Sequence, residues 1–386
     1  MDFNLDQRTI MLAVTGSHAY GTARPTSDID VRGCCIAPLS VRISFYQVFE
    51  QFQAMGKAPP GGPNWDAAIA KMHQHETAGP IAARTGSDEL DLVIFDLGKL
   101  VNLCANANPN MLELLFLDPR EVLFASPAWE KLRANKALFL TRKVKYTYLG
   151  YANSQLKRIK LHRAWLLNPP SHAPTRGEFD LPESTVLSAD DRNRIDEAIH
   201  KIIRGWGVED MDMPGAERDV LRENMREFWS TQLRCAPDLL DEKMYELAAT
   251  SIGLSKDVLS ALRQERRYRA ARKQWDQYKR WERERNPKRA ALEAQHGYDT
   301  KHGMHLIRLM RTGLEVLQDG ELRVRRPDAK ELLSIREGHY SYDDLIAESQ
   351  KLEAQMNVAL TKTQLPKGPD REAIDRVLHE LLVAAG

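Results

Sequence analysis

Cysteine is scarce in this sequence, and its spacing indicates neither a structural metal site nor a disulfide framework. Only four of the 386 residues are cysteine, and Cys34, Cys35, Cys104 and Cys235 include an adjacent pair but no C-x-x-C spacing. Structural zinc sites usually show that spacing, and disulfide frameworks occur in short, cysteine-dense chains. We therefore interpret the four cysteines as small buried hydrophobic side chains.

Long apolar runs and a leader-like N-terminus are also lacking. No stretch approaches the roughly 20 apolar residues of a membrane-spanning helix. The sequence begins Met-Asp-Phe-Asn, with neither the basic start nor the apolar run of a signal peptide. The expectation is therefore a protein without membrane association, located in the cytoplasm.

The most informative feature that is present is a Gly-Ser turn after an apolar run. Residues 10–14 read Ile-Met-Leu-Ala-Val, and residues 16–21 read Gly-Ser-His-Ala-Tyr-Gly. The run predicts a buried strand that ends at Gly16, followed by the first turn of a short helix. Free N–H groups at a helix start can receive phosphate oxygens. Gly16 and Ser17 are therefore predicted to bind the phosphates of a nucleotide.

Two carboxylates follow the turn, at Asp28 and Asp30. They alternate with Ile29 and Val31, so on a strand both carboxylates share one face while the apolar side chains point into the core. Neighbouring carboxylates repel each other, and a pair of hard cations relieves this repulsion while bridging nucleotide phosphates. We expect two Mg²⁺ ions, with Mn²⁺ as a substitute, and a nucleoside triphosphate such as ATP as the substrate.

The pattern G-S-x-x-x-G followed by D-x-D resembles the nucleotidyltransferase core of the DNA polymerase β superfamily. Two more stretches, N-P-N-M-L-E-L-L-F at residues 108–116 and Y-D-T-K-H-G-M-H-L-I-R-L-M at residues 298–310, follow in the same order as in RlaP-type nucleotidyltransferases, a family linked to RNA repair pathways. The resemblance covers residues 8–38, 88–165 and 295–367. It implies nucleotidyl transfer, with RNA as the acceptor.

Members of this superfamily usually place a third carboxylate on a strand beside the D-x-D strand. The best candidate is Asp91, in the strand-like run E-L-D-L-V-I-F at residues 89–95. Asp88 and Glu89 remain alternatives, because a register slip of one residue would exchange the two faces of the strand. The resemblance thus implies the following catalytic and metal-binding carboxylates: Asp28, Asp30 and Asp91.

The stretch at residues 298–310 carries a basic stripe. Lys301, His305 and Arg308 fall at i, i+4 and i+7, so on a helix their side chains share one face. We expect this face to bind the triphosphate or the phosphate of the acceptor strand. The alternative is a solvated face paired with acidic side chains.

The length of the chain predicts two domains, and the resemblance to the polymerase β superfamily implies an α+β fold. Residues 1–122 are expected to form a polymerase-β-like nucleotidyltransferase domain, a small mixed sheet with helices on one side. Residues 123–386 are expected to form a mostly helical domain. Within the first domain, the Pro/Gly-rich run at residues 58–63 predicts that residues 40–85 are a loop or lid rather than core.

An inserted lobe with a long basic helix is predicted at residues 171–290, with further helices at 188–204 and 216–233. Between residues 263 and 289 there are nine Arg and three Lys against four acidic residues, interleaved with the aromatic side chains of Tyr268, Trp275, Tyr278 and Trp281. Such a helix can follow a phosphate backbone and stack bases. Alternatively, the aromatic residues are the packed stripe of the helix.

Together these patterns predict an enzyme that moves a nucleoside monophosphate from a triphosphate to an acceptor hydroxyl, on RNA in repair or tRNA-end modification, and releases pyrophosphate. One alternative is transfer to a protein or small molecule, for example AMPylation, and tight salt-sensitive RNA binding would count against it. The other is a non-catalytic nucleotide-binding module. Three converging carboxylates argue against that alternative.

Overall fold

A computed structural model of the protein describes residues 3–46, 49–55, 61–85, 90–183 and 256–384, with isolated helical positions at 193, 197, 243 and 247. Several features predicted from the sequence lie outside these residues: Cys235, Asp88, Glu89, and nearly all of the helices at 188–204 and 216–233.

A mixed five-stranded sheet forms the centre of the N-terminal part. Its strands are β1 (Thr9–Val14), β2 (Ile29–Cys35), β3 (Gln51–Met55), β4 (Leu90–Asp96) and β5 (Val122–Ala125), in the order β3-β4-β2-β1-β5. β2 and β4 run parallel, and the other neighbouring pairs run antiparallel. The strands predicted at residues 10–14 and 89–95 are confirmed, apart from their terminal residues.

Helices surround this sheet and make up most of the chain that follows it. The N-terminal ones are α1 (Leu5–Arg8), α2 (Gly16–Tyr20), α3 (Leu39–Arg42), α4 (Pro63–His73), α5 (Gly79–Thr85), α6 (Leu97–Ala105), α7 (Pro109–Leu112), α8 (Pro127–Ala134) and α9 (Lys143–Leu167). Numbering only the described helices, the later ones are α10 (Lys256–Glu284), α11 (Pro287–His296), α12 (Thr300–Asp319), α13 (Ala329–Arg336), α14 (Tyr342–Lys362) and α15 (Arg371–Ala384). Short 3₁₀ helices occupy Glu113–Phe116, Lys136–Phe139 and Gly177–Phe179. The predicted α+β class is confirmed.

The two faces of the sheet bury different sets of side chains, as the two-residue period of a strand requires. On β1, Met11 and Ala13 join a cluster with α6, α8, α9 and α12, whereas Leu12 and Val14 join a second cluster with α4 and α5. Cys34, Cys35 and Cys104 are buried and unpaired, which confirms the interpretation of the cysteines for the described residues.

The prediction that residues 40–85 form a loop or lid rather than core is wrong. β3 lies at the edge of the sheet beside β4, and α4 contributes the buried Trp65 and Met72 to the second cluster. The described part of the Pro/Gly-rich run, Gly61 to Pro63, leads directly into α4. Pro63 occupies the first turn of that helix, where a missing N–H costs nothing.

The chain groups into two compact units. One comprises Met1–Arg163 with Ala291–Gly386, and the other comprises Ala164–Ala290. The predicted boundary at residue 122 and the predicted inserted lobe at 171–290 stay predictions. In the described part of the chain, no helix has both the length and the apolar character needed to cross a bilayer.

Candidate functional site

An acidic pair lies where β2 and β4 run side by side. Their parallel register places Asp30 directly opposite Asp91, so the two carboxylates lie on the same face of the sheet. Arg32, two residues further along β2, lies between them. Its Nη2 donates to Asp91 Oδ2 at 2.8 Å and to Asp30 Oδ1 at 3.3 Å. The predicted strand partner of the D-x-D motif is therefore beside it in the structure.

The backbone fixes the position of Arg32. Its Nη1 donates to the carbonyl oxygens of Asp91 at 2.6 Å and of Val31 at 3.0 Å. The guanidinium group thus partly neutralises the acidic pair from one side. Arg32 was not identified from the sequence. A signal was present, since Arg32 continues the alternation of Asp28 and Asp30 along the same strand face.

The electrostatics of this pair suit a divalent cation. Burial raises the pKa of Asp30 above its ordinary value; Arg32 opposes that rise, and the charges of Asp91 and Asp28 add to it. Asp91 Oδ1 is buried and has no hydrogen-bond partner. Buried carboxylate oxygens without partners are costly, and hard cations such as Mg²⁺ bind oxygen ligands of this kind. The residues present therefore fit the metal that the sequence pattern predicts.

Asp28 precedes β2 by one residue and is exposed. Its charge contributes to the raised pKa of Asp30, so the structure brings it into electrostatic reach of the acidic pair. The strand begins at Ile29 rather than at Asp28. An exposed carboxylate beside a half-buried pair remains accessible to a ligand from solvent.

The Gly-Ser turn packs directly against Asp30. Gly16 has a φ of 62°, and a Cβ at this position would lie 2.3 Å from Asp30 Oδ2. The backbone N–H and the hydroxyl of Thr15 donate to the Asp30 carbonyl oxygen at 2.8 and 3.2 Å. The turn is therefore fixed to the acidic strand, and only glycine fits its first position.

Any activity that depends on the acidic pair should fall about 100-fold in Gly16→Ala, because the added Cβ displaces the Asp30 carboxylate. Steady-state kinetics would measure this effect. Gly320→Ala is a matched control: its φ is 69°, and an added Cβ would meet nothing within 4 Å. The control carries the backbone strain of about 1–3 kcal/mol without the clash. Equal activities for the two variants would contradict the role given to the turn.

Tyr20, the last residue of α2, belongs to a buried network. Its hydroxyl donates to Glu113 Oε2 at 2.7 Å, and Arg308 Nη1 donates to Glu113 Oε1 at 2.6 Å. The guanidinium carbon of Arg308 lies 3.8 Å from the centroid of the Tyr20 ring. Burial raises the pKa of Tyr20, so its hydroxyl stays protonated and donates. The network ties the turn to α12.

The three residues of the basic stripe on α12 differ in burial and charge, so they do not form a uniform phosphate-binding face. Arg308 is buried and paired with Glu113. Burial, together with the charges of Arg308 and Lys301, lowers the pKa of His305 well below its ordinary range, so its imidazole is neutral at neutral pH. Lys301 is partly exposed. Binding of a nucleotide by these three residues stays a prediction.

A second polar group includes His18, which lies within the turn helix itself. His18 Nδ1 lies 2.8 Å from Thr77 Oγ1, and His75 Nε2 lies 2.7 Å from Glu121 Oε2. Arg325 donates to Glu121 Oε1 at 3.2 Å. Burial and the nearby His75 lower the pKa of His18. Sequence reasoning missed this group because its members are separated by up to about 300 residues.

A mixed sheet that pairs carboxylates of adjacent strands beside a glycine turn, followed by a mostly helical region, defines a polymerase-β-like domain. Residues 4–165 match the model of the RlaP family, described as an RNA repair pathway DNA polymerase beta family. This match confirms, for that region, the resemblance found in the sequence. Residues 295–367, where the sequence also resembled that family, lie beyond the match.

The chain is also similar to an uncharacterized 38.9 kDa protein from the nrdC-mobD intergenic region of Enterobacteria phage T4. The two are 24% identical over 155 residues, which are 39% of this chain and 38% of the phage protein. The chain thus covers about two fifths of the length of this relative. No solved structure matches this chain significantly.

Proposed function

We propose that the protein is a Mg²⁺-dependent nucleotidyltransferase that moves a nucleoside monophosphate from a nucleoside triphosphate to an acceptor hydroxyl and releases pyrophosphate. The observation that carries this proposal is the pairing of Asp30 with Asp91 across β2 and β4, with Gly16 packed against the Asp30 carboxylate. The match of residues 4–165 to the RlaP family model supports nucleotidyl transfer.

Asp28, Asp30 and Asp91 would hold two Mg²⁺ ions, or Mn²⁺ in their place. Such ions neutralise phosphate charge and lower the pKa of a bound hydroxyl. Asp91 has the buried, unpartnered oxygen that such a ligand needs. We assign it to the part of the site that activates the acceptor hydroxyl, either as a ligand or as the proton acceptor.

Gly16 and Ser17 would bind the β- and γ-phosphates. The turn that carries Ser17 is fixed at its far end, because the Ser17 carbonyl oxygen accepts the N–H of Thr22 at 2.8 Å. A preorganised turn binds without a further cost in conformational entropy.

The basic stripe would act from α12 in two ways. Lys301 supplies a positive charge for phosphate, and the neutral imidazole of His305 supplies a hydrogen bond rather than a charge. Arg308 would serve nucleotide binding indirectly, since its guanidinium holds Glu113 and packs on Tyr20 beside the turn.

RNA is the proposed acceptor, and the basic helix α10 supports it. Its aromatic residues pack against one another and against Trp165: the ring centroids of Trp165 lie 5.7 Å from Tyr278 and 5.4 Å from Trp281. Arg272 and Lys273 are exposed. We therefore assign phosphate contacts to the cations of this helix, and packing rather than base stacking to Tyr278 and Trp281.

Incubation with each α-labelled triphosphate, Mg²⁺ or Mn²⁺, and pooled small RNA including tRNA tests this function. We expect label on RNA with the wild-type protein and none with Asp28→Ala. Label on protein or on an added small molecule, with RNA unlabelled, would instead establish the AMPylation-like alternative. If no label moves and calorimetry detects no Mg²⁺-triphosphate binding, the non-catalytic alternative replaces the proposal.

RNA binding has its own test. Filter binding at several salt concentrations should give an affinity that falls steeply with salt, since each released counterion steepens the slope. The double variant Arg272→Gln/Lys273→Gln should lower the affinity and flatten that slope. The double variant Lys351→Gln/Lys362→Gln removes two cations from α14 and is the matched control. An equal effect of the two double variants would remove α10 from the proposal.

A further inference from the structure

Two histidines and an aspartate converge where α9 meets the start of α12. His162, Asp299 and His302 each bring one ligand atom into a group whose members all lie within 4.8 Å of one another. In the described part of the chain this is the one such group of three or more potential ligands. We propose that it is a metal site for a divalent transition ion of the Zn²⁺ type, separate from the acidic site on the sheet.

Asp299 is oriented by its role as the N-cap of α12. Its Oδ1 accepts the backbone N–H of His302 at 3.1 Å, so its Oδ2 is the oxygen that faces the imidazoles. Oδ2 lies 3.5 Å from His302 Nε2 and 4.0 Å from His162 Nδ1. Asp299 is only 1% exposed, and a buried carboxylate needs a cation near it.

A further hydrogen bond orients the His302 ring. Its Nδ1 lies 2.7 Å from the amide oxygen of Gln155 on α9, which makes Nδ1 the protonated nitrogen of the neutral ring. Nε2 then carries the lone pair and lies 3.5 Å from Asp299 Oδ2, so that a metal ion could take both atoms as ligands. Histidines that bind metals typically donate their other N–H to such an acceptor.

The spacing and the donor set favour a transition ion over Mg²⁺. Ligands 2.0–2.2 Å from a tetrahedral ion are separated by about 3.4 Å, close to the 3.5 and 4.0 Å found here. Imidazole nitrogens suit zinc-like ions, whereas Mg²⁺ prefers oxygen ligands. The side chains of His162 and His302 are 17% and 14% exposed, so the site is largely shielded from solvent.

The position of the cluster indicates a structural role for the ion. His162 lies on α9, while Asp299 and His302 lie at the start of α12. A shared ion would join α9 to the N-terminal end of α12, the helix that carries Arg308. Since Arg308 supports the glycine turn through Glu113 and Tyr20, the ion would stabilise the helix on which that support depends.

Metal titration in excess Mg²⁺ tests the proposal, because Mg²⁺ keeps the acidic site saturated. Protein freed of metal by a chelator is titrated with Co²⁺, whose visible absorption reports its ligands, and Zn²⁺ is then added as a competitor. We expect one equivalent of Co²⁺ with a spectrum of nitrogen and oxygen ligation, displaced by Zn²⁺. His162→Gln and His302→Gln should each weaken binding at least about tenfold.

His339→Gln is the matched control, since His339 is exposed and lies outside the cluster. Zn²⁺ should raise the melting temperature of the wild type and of this control, but not that of His162→Gln. His162 is the decisive position if His302→Gln fails to fold, because that variant also removes the ring's hydrogen bond with Gln155. An unchanged Co²⁺ spectrum and affinity in His162→Gln, or no binding to the wild type, would overturn the proposal. The cluster would then be explained by ion pairs between Asp299 and the two histidines.

Discussion

Asp28→Ala and Asp30→Asn should each lower nucleotidyl transfer by about 100- to 1,000-fold, a loss typical of removing a group that stabilises charge in the transition state. Both substitutions should leave the fold intact. Asp28 is exposed, and replacing Asp30 with its neutral isostere reduces the repulsion with Asp91 that helps to raise its pKa. Single-turnover transfer of label from an α-labelled triphosphate measures the effect.

The matched control for these two variants is Asp66→Ala, which removes an exposed carboxylate from α4. Its transfer rate should equal that of the wild type. Thermal unfolding of all three variants separates lost chemistry from lost structure. Wild-type turnover in a well-folded Asp30→Asn protein would rule out the metal site on β2 and β4.

The sequence was sufficient to predict the strands and the glycine turn that carry these carboxylates, because that information is local. Alternation along one strand places Asp28 and Asp30 on a common face, and a glycine after an apolar run predicts the turn. The identity of the third carboxylate depended on register, which the sequence left open between Asp91 and its neighbours. The parallel pairing of β2 with β4 places Asp30 opposite Asp91. Asp88 and Glu89 lie outside the described residues, and the assignment of the third carboxylate stays a prediction.

The surroundings of the site could not be predicted, because they depend on contacts between distant parts of the chain. Helical periodicity correctly grouped Lys301, His305 and Arg308 on one face of α12, but periodicity does not show what a face packs against. Arg308 finds Glu113, 195 residues away. The cluster of His162 with Asp299 was likewise invisible, since its members lie on separate helices.

Glu113→Ala should lower the free energy of unfolding by about 3–5 kcal/mol, the usual cost of breaking a buried ion pair by removing one partner. The guanidinium of Arg308 would remain buried without its carboxylate, and the hydroxyl of Tyr20 would lose its acceptor. Both Glu113 and Arg308 are 4% exposed, so water cannot replace the lost partner. Urea unfolding, followed by circular dichroism, measures the change.

Two comparisons show whether the pair itself causes this loss. Glu337→Ala removes an ion pair with Arg24 in which the Glu337 side chain is 55% exposed, and it should cost at most about 1 kcal/mol. The double variant Glu113→Leu/Arg308→Met should recover most of the stability, because apolar side chains of similar size can replace a buried pair. A double variant as unstable as Glu113→Ala would mean that packing around Tyr20, rather than the charges, holds the turn against α12.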